Sequence, residues 1–158
     1  MNTTRREVLV TIAAMAAPAP AVGQANFLNA TELECLTALV DAIIPRTDTP
    51  GAAEAGVPST IDRRLAAGPQ LAERFRAELK AFDAEARSRF GMPFAKLTAE
   101  QKIELLKSRG EDPFFRMVKG MTVDAYYSSK EGLAEELGWH GNTFLAEFKG
   151  CTHPEHQR

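Results

Sequence analysis

The chain has 158 residues, 44% of them hydrophobic and 25% charged, the composition of a folded domain; this excludes a low-complexity disordered chain and a multi-pass membrane protein. A net charge of −2 argues against a broad nucleic-acid-binding face, so no nucleic-acid partner is expected. Two cysteines are too few for a disulfide framework or for a cluster held by four thiolates.

Residues 1–25 differ from the rest. Arg5-Arg6 precedes the apolar run Val8–Ala17, and Pro18 and Pro20 break it. Gly23-Gln24-Ala25 then places small residues at the two positions a signal peptidase reads, and Ala19-Pro20-Ala21 is a second such place. Thr4–Leu9 resembles the twin-arginine export motif through Arg5, Arg6 and Leu9, with Val8 and Val10 where Phe and Lys are usual. The apolar run is shorter than the ~20 residues a spanning helix needs. Residues 1–25 are therefore expected to be a twin-arginine-type export signal and the protein to work in the periplasm, an oxidising compartment.

The remainder reads as helices. Thr31-Glu32-Leu33-Glu34 has capping-box spacing, Leu33, Leu36, Leu39, Val40, Ile43 and Ile44 follow at helical intervals, and Pro45 ends the run. Residues 45–58, rich in Pro and Gly, predict a long irregular loop. Asp41, just before it, is positioned to brace that loop. Ser59–Ala67 predicts a short helix closed by Gly68-Pro69. Gln70–Phe90 predicts the longest helix, with Leu71, Phe75, Leu79, Phe82, Ala86 and Phe90 on one face as core. Thr98 and Gln101 form a second capping box opening a helix to about Arg109. Asp112-Pro113 is an N-cap followed by N1 proline for a helix over Phe114–Tyr127. Ser128 or Ser129 caps a last short helix, Lys130–Leu137, stopped by Gly138. With no alternating strand pattern, the expected fold is all-α, a single bundle of about five or six helices over residues 26–138.

Residues 139–158 form a different kind of segment, carrying Trp139, Phe144, Leu145 and Phe148 among Gly and Pro. Either this tail folds back on its own helices or it docks on a partner, where aromatic anchors are typical. Cys151-Thr152-His153-Pro154-Glu155-His156 holds thiol and imidazole groups able to ligate zinc or copper, but without a second ligand group at standard spacing. A free-standing periplasmic metal-binding protein or enzyme using Cys151, His153 and His156 is thus one alternative; a helical module for an unrelated exported partner is another. Cys35 falls on the apolar face of the first helix. Cys151 could pair with it if the tail returns there; otherwise Cys151 is a leftover thiol suited to an intermolecular bridge, the reading favoured here. The dinucleotide fingerprint, the phosphate-binding loop, the nucleophile elbow and the covalent haem motif are all missing from the sequence, so no catalytic, cofactor-binding or metal-binding residue is assigned.

Several stretches together resemble the gluconate 2-dehydrogenase subunit 3 family, the small subunits of FAD-dependent sugar and sugar-acid dehydrogenases. They are the twin-arginine-like start, Leu36–Ala52 with its Ile-Ile-Pro-Arg-Thr-Asp-Thr-Pro-Gly-Ala core, Ala55–Pro58 and Ile61-Asp62. Tyr126-Tyr127-Ser128-Ser129 with Glu131, Leu137-Gly138-Trp139 with Gly141, and Gly150-Cys151 complete the likeness, Trp139 standing where Tyr is usual. The resemblance implies a non-catalytic subunit with no cofactor of its own. Its partner would be a large FAD-carrying oxidoreductase of the glucose–methanol–choline (GMC) type, in some complexes joined by a multihaem cytochrome c. Such a subunit stabilises the large one and takes it, folded, through the twin-arginine translocase. The candidate partner interface is Trp139, Phe144 and Phe148 with Tyr126 and Tyr127, and Cys151 is the candidate for an intermolecular disulfide.

Overall fold

A computed structural model describes residues 27–141. Its α-helices are α1 (Ala30–Ile43), α2 (Val57–Ala66), α3 (Pro69–Phe90), α4 (Ala99–Ser108) and α5 (Pro113–Tyr127). A 3-10 turn, Phe94–Lys96, lies between α3 and α4, and a π-helical turn, Glu131–Glu136, follows α5. No strand occurs among the described residues, so the all-α class expected from the sequence is the one observed. No helix among the described residues is long and apolar enough to cross a membrane.

The bundle is organised around α1, which packs against the other four helices and the 3-10 turn. Its stripe of Cys35, Leu36, Leu39 and Val40 is buried, at the spacing that puts these side chains on one face. On α3 the buried stripe is Ala72, Phe75, Leu79, Phe82 and Ala86, alternating steps of three and four residues. That register moves Leu71, expected in the core, onto the neighbouring exposed face, and leaves Phe90 half-buried. Phe82 sits at an aromatic junction, its ring centroid 4.8 Å from Phe94 of the 3-10 turn and 6.3 Å from Phe114 of α5. Phe114 in turn meets Phe75 edge-on at 5.5 Å.

The helix ends show where local signals compete. The cap of α1 is Asn29, not Thr31: its side chain accepts from the Glu32 N–H, and the Glu32 carboxylate accepts from the Asn29 N–H, both at 2.9 Å. Both Asn29-x-x-Glu32 and Thr31-x-x-Glu34 have capping-box spacing. Leu28 decides between them, because it is buried immediately before Asn29, with Leu33 at the staple position of the first turn. Likewise α2 starts at Val57 rather than Ser59, with Pro58 in its first turn, where the missing N–H costs nothing. The Thr98–Gln101 box and the Asp112 cap stand as expected. Burial works to raise the Asp112 carboxyl, but the Arg109 guanidinium and the Phe114 and Phe115 N–H groups outweigh it and hold the carboxyl below its ordinary range.

The expected last helix, Lys130–Leu137, is a π-helical turn over Glu131–Glu136 instead. The Leu137 N–H reaches back five residues to the Gly132 carbonyl, and the Trp139 N–H reaches six back to Leu133 in the manner of a Schellman closure, with Gly138 at φ +65°. The wide turn follows from how closely this segment approaches α5, described next.

Candidate functional site

The loop between α1 and α2 and the segment after α5 are far apart in sequence and meet at one end of the bundle. The loop closes on itself first: the Ala52 N–H donates to the Ile44 carbonyl at 2.9 Å, the Thr47 N–H to Thr49 at 3.1 Å, and Arg46 pairs with Glu54. Gly51 is required there, since a Cβ would lie 2.7 Å from the Arg46 backbone nitrogen and 3.1 Å from Asp41 Oδ1. Asp41 therefore does lie against the loop, although the hydrogen bonds that close it are made by Ile44, Thr47, Thr49 and Glu54. The fold then ties the loop to α5: the Tyr126 hydroxyl donates to the Pro50 carbonyl at 2.8 Å, and the Thr49 hydroxyl bonds Glu136 of the π-turn.

Gly132 completes the joint. It is buried against the last turn of α5, so close that a Cβ would lie 2.2 Å from the Tyr126 carbonyl oxygen. Ser129 braces the approach, donating to the Tyr126 carbonyl at 2.6 Å and accepting from the Gly132 N–H at 3.1 Å.

This arrangement sorts the expected interface residues. Tyr126 is 1% exposed and belongs to the core, so its assignment to a partner interface is corrected: the ring is inside and its hydroxyl is spent on Pro50. Tyr127 packs edge-on against it at 5.1 Å but remains exposed, as do Val123, Leu137 and Trp139. Trp139 is 46% and Leu137 60% exposed, both beside the turn that Gly132 anchors. Phe144, Phe148, Cys151, His153 and His156 lie outside the described residues, as do Arg5, Arg6 and Leu9. Among the described residues no three His, Cys, Asp or Glu side chains converge as a metal ion would require.

At the start of the described chain stands a second anchorage that sequence reasoning missed. Asp62 of α2 is buried, and its carboxylate accepts from the Leu28 N–H at 2.8 Å and the Phe27 N–H at 3.3 Å. Arg76 of α3 donates to the Phe27 carbonyl, and its guanidinium lies 3.7 Å from the centre of the Phe27 ring. The same guanidinium pairs with the buried Glu32. The signal was present in the sequence as Ile61-Asp62, an acidic residue directly beside a core position, but nothing local says that its partner is 34 residues away.

A groove of about 420 Å³ runs between the first turns of α1 and the middle of α3, past Glu32, Cys35, Lys80, Asp83 and Arg87. Its charges are paired internally, Glu32 with Lys80 and Asp83 with Arg87, and Asp83 also accepts from the Phe94 N–H at 2.8 Å. Cys35 is a free thiol here, 3% exposed, and burial together with the neighbouring Asp83 carboxylate pushes it up to about 12. A thiol so held carries almost no thiolate at neutral pH. In a Cys151→Ser variant, iodoacetamide at pH 8 should leave the native protein unlabelled and label it once in guanidinium. Stoichiometric labelling of the native protein would contradict the burial.

No curated protein and no solved structure matches the chain. The family model described as gluconate 2-dehydrogenase subunit 3 matches residues 30–144, which spans all five α-helices, the loop joint and the π-turn. The chain belongs to the gluconate 2-dehydrogenase subunit 3 family.

Proposed function

We propose that this chain is a non-catalytic small subunit that stabilises a large FAD-dependent oxidoreductase of the GMC type and carries it, folded, through twin-arginine export. It then stays bound to that subunit in the periplasm. The observation that supports this most is the family match to a dehydrogenase subunit over residues 30–144. The described residues add a reason of their own. The family-like loop is tied to α5 through the Pro50 carbonyl and to the π-turn through the Thr49 hydroxyl, while Tyr127, Leu137 and Trp139 are left on the surface beside the joint. Exposed aromatic groups on a rigid support suit a protein interface. FAD, on this reading, is held by the large subunit, and a multihaem cytochrome c is a further candidate partner. Cys151 is the candidate for a disulfide to the large subunit, which the oxidising periplasm would preserve.

The test is co-expression of the large subunit with and without this chain, followed by a dye-linked dehydrogenase assay on the periplasmic fraction. Activity should appear there only with the chain present. The double substitution Arg5→Lys/Arg6→Lys should strand both proteins and the activity in the cytoplasm. Equal periplasmic activity with and without the chain would refute the carrier role.

A further inference from the structure

A stable protein interface engages about 20–30 residues a side, and Tyr127, Leu137 and Trp139 beside the joint are a small part of that. The surface continues along α5. Phe115, Lys119, Val123 and Tyr127 follow one another at steps of four, so they form one ridge on the helix, about 18 Å long at 1.5 Å per residue. Lys119, Val123 and Tyr127 are exposed, and Phe115 is half-buried. At its far end the ridge enters a groove of about 370 Å³ between the C-terminal end of α1, α4 and the first turns of α5. Ile43, Leu106 and Phe115 make its lining apolar, and Ile103 of α4 is 50% exposed there. Seven large apolar side chains are exposed among the described residues, and five lie on this one course: Ile103, Val123, Tyr127, Leu137 and Trp139. Apolar surface gathered in this way marks contact with another molecule.

The charges of this groove distinguish it from the groove past Cys35. There Lys80 and Arg87 are paired with Glu32 and Asp83. Here Lys107 and Lys119 line the wall, no Asp or Glu does, and neither lysine makes an ion pair among the described residues. We infer that this groove is a second foothold of the large subunit, taking a segment that lays an aliphatic side chain against Ile43, Ile103 and Phe115 and a carboxylate against Lys107 and Lys119. The inference rests on the reading of this chain as a dehydrogenase subunit whose interface begins at the joint. Two uncompensated ammonium groups in an apolar wall attract a carboxylate and repel a cation. They therefore select the partner segment and fix its register along α5, while the apolar lining supplies buried area. Once the segment covers them the pair is out of water, so its loss acts on the dissociation rate.

The experiment co-expresses the affinity-tagged chain with the large subunit, recognised by its flavin absorbance, and follows dissociation of the captured complex at about 50 and about 500 mM NaCl. Lys107→Gln/Lys119→Gln should speed dissociation by about thirtyfold or more at the lower salt and remove most of the salt dependence. Ile103→Ser should speed it without changing the salt dependence. Leu71→Glu/Met92→Glu makes the same change in net charge at exposed positions off this course and should leave the rate as it is. Circular dichroism confirms that each variant is folded, so a folded Lys107→Gln/Lys119→Gln chain that captures no flavin-bearing subunit also supports the foothold. Natural dissociation rates in the Lys107→Gln/Lys119→Gln variant would overturn it. So would a dimer of the purified chain, or binding to phosphatidylglycerol vesicles, that the same substitutions abolish, since the groove would then hold a second copy or a membrane surface. Failure of the subunit reading looks different: the natural chain captures no flavin-bearing protein, and the foothold falls with it.

Discussion

Phe82→Ala should lower the stability of the helical body by about 4 kcal/mol, the range found when a buried aromatic side chain is cut back to a methyl group. The site explains the size. Phe82 is 1% exposed and touches two rings that come from different elements, Phe94 of the 3-10 turn and Phe114 of α5. Neither neighbour can move into the vacancy freely. The Phe94 backbone is fixed by Asp83, and Phe114 lies in the first turn of α5, whose start Asp112 and Pro113 define. The cavity therefore stays open, and the loss combines the transfer and cavity contributions. A domain of this kind has about 5–15 kcal/mol in total, so the melting temperature should fall by more than about 10 °C. Leu71→Ala on the same helix, at an exposed position, should change stability by less than about 0.5 kcal/mol. Melting curves of the two variants followed by circular dichroism test the contrast; similar shifts would mean that the aromatic junction is not the centre of the core.

Phe82 also illustrates what was legible. Its burial follows from spacing alone, because period 3.6 selects one face of α3 whatever that face meets. The same reasoning placed Cys35, Leu36 and Leu39 correctly and named the Thr98 and Asp112 caps. It failed where two local signals compete, as at Asn29 and Thr31, since the choice depends on burying Leu28 against distant helices. It also failed at Leu71, where a step of four or of three from Phe75 fits equally well. At the site the limit was different. Tyr126 and Tyr127 are adjacent and identical in type, yet one is core and the other exposed, because neighbouring helical positions point about 100° apart. Asp62 was visible as a carboxylate, but its partners are backbone N–H groups, which every residue carries and no sequence distinguishes. The family-like stretches, by contrast, marked the joint well: the loop around Thr49-Pro50-Gly51 and the segment Tyr126–Trp139 are separate in the chain and bonded in the fold.

That joint carries the second large effect. Gly132→Ala should detach the π-turn from α5 at a cost of about 3 kcal/mol, the upper end for forcing an extra methyl group into packed structure. The group that a Cβ would strike is backbone: the Tyr126 carbonyl oxygen at 2.2 Å and carbon at 2.7 Å, in the last turn of α5, where that oxygen already accepts from the Ser129 N–H and hydroxyl and cannot shift without disturbing those bonds. No side chain can swing aside to relieve the contact. The consequence should be local before it is global. Glu136 withdraws from Thr49, the Ser129 brace is broken, and Leu137 and Trp139 lose their fixed position on the surface. Trp139 is the only tryptophan in the chain, so its fluorescence should report that release directly, as a red shift or loss of anisotropy at temperatures where the circular dichroism of the helices is unchanged. Gly120→Ala is the control. Gly120 lies within α5 with open space around a Cβ, and the same substitution there should be neutral or stabilise by about 0.5–1 kcal/mol. If the surface beside the joint holds the large subunit, Gly132→Ala should also lower the amount of that subunit recovered with an affinity-tagged chain, and Gly120→Ala should not. A Gly132→Ala protein with natural Trp139 fluorescence and undiminished recovery of the partner would separate the joint from the interface and leave the joint a purely internal brace.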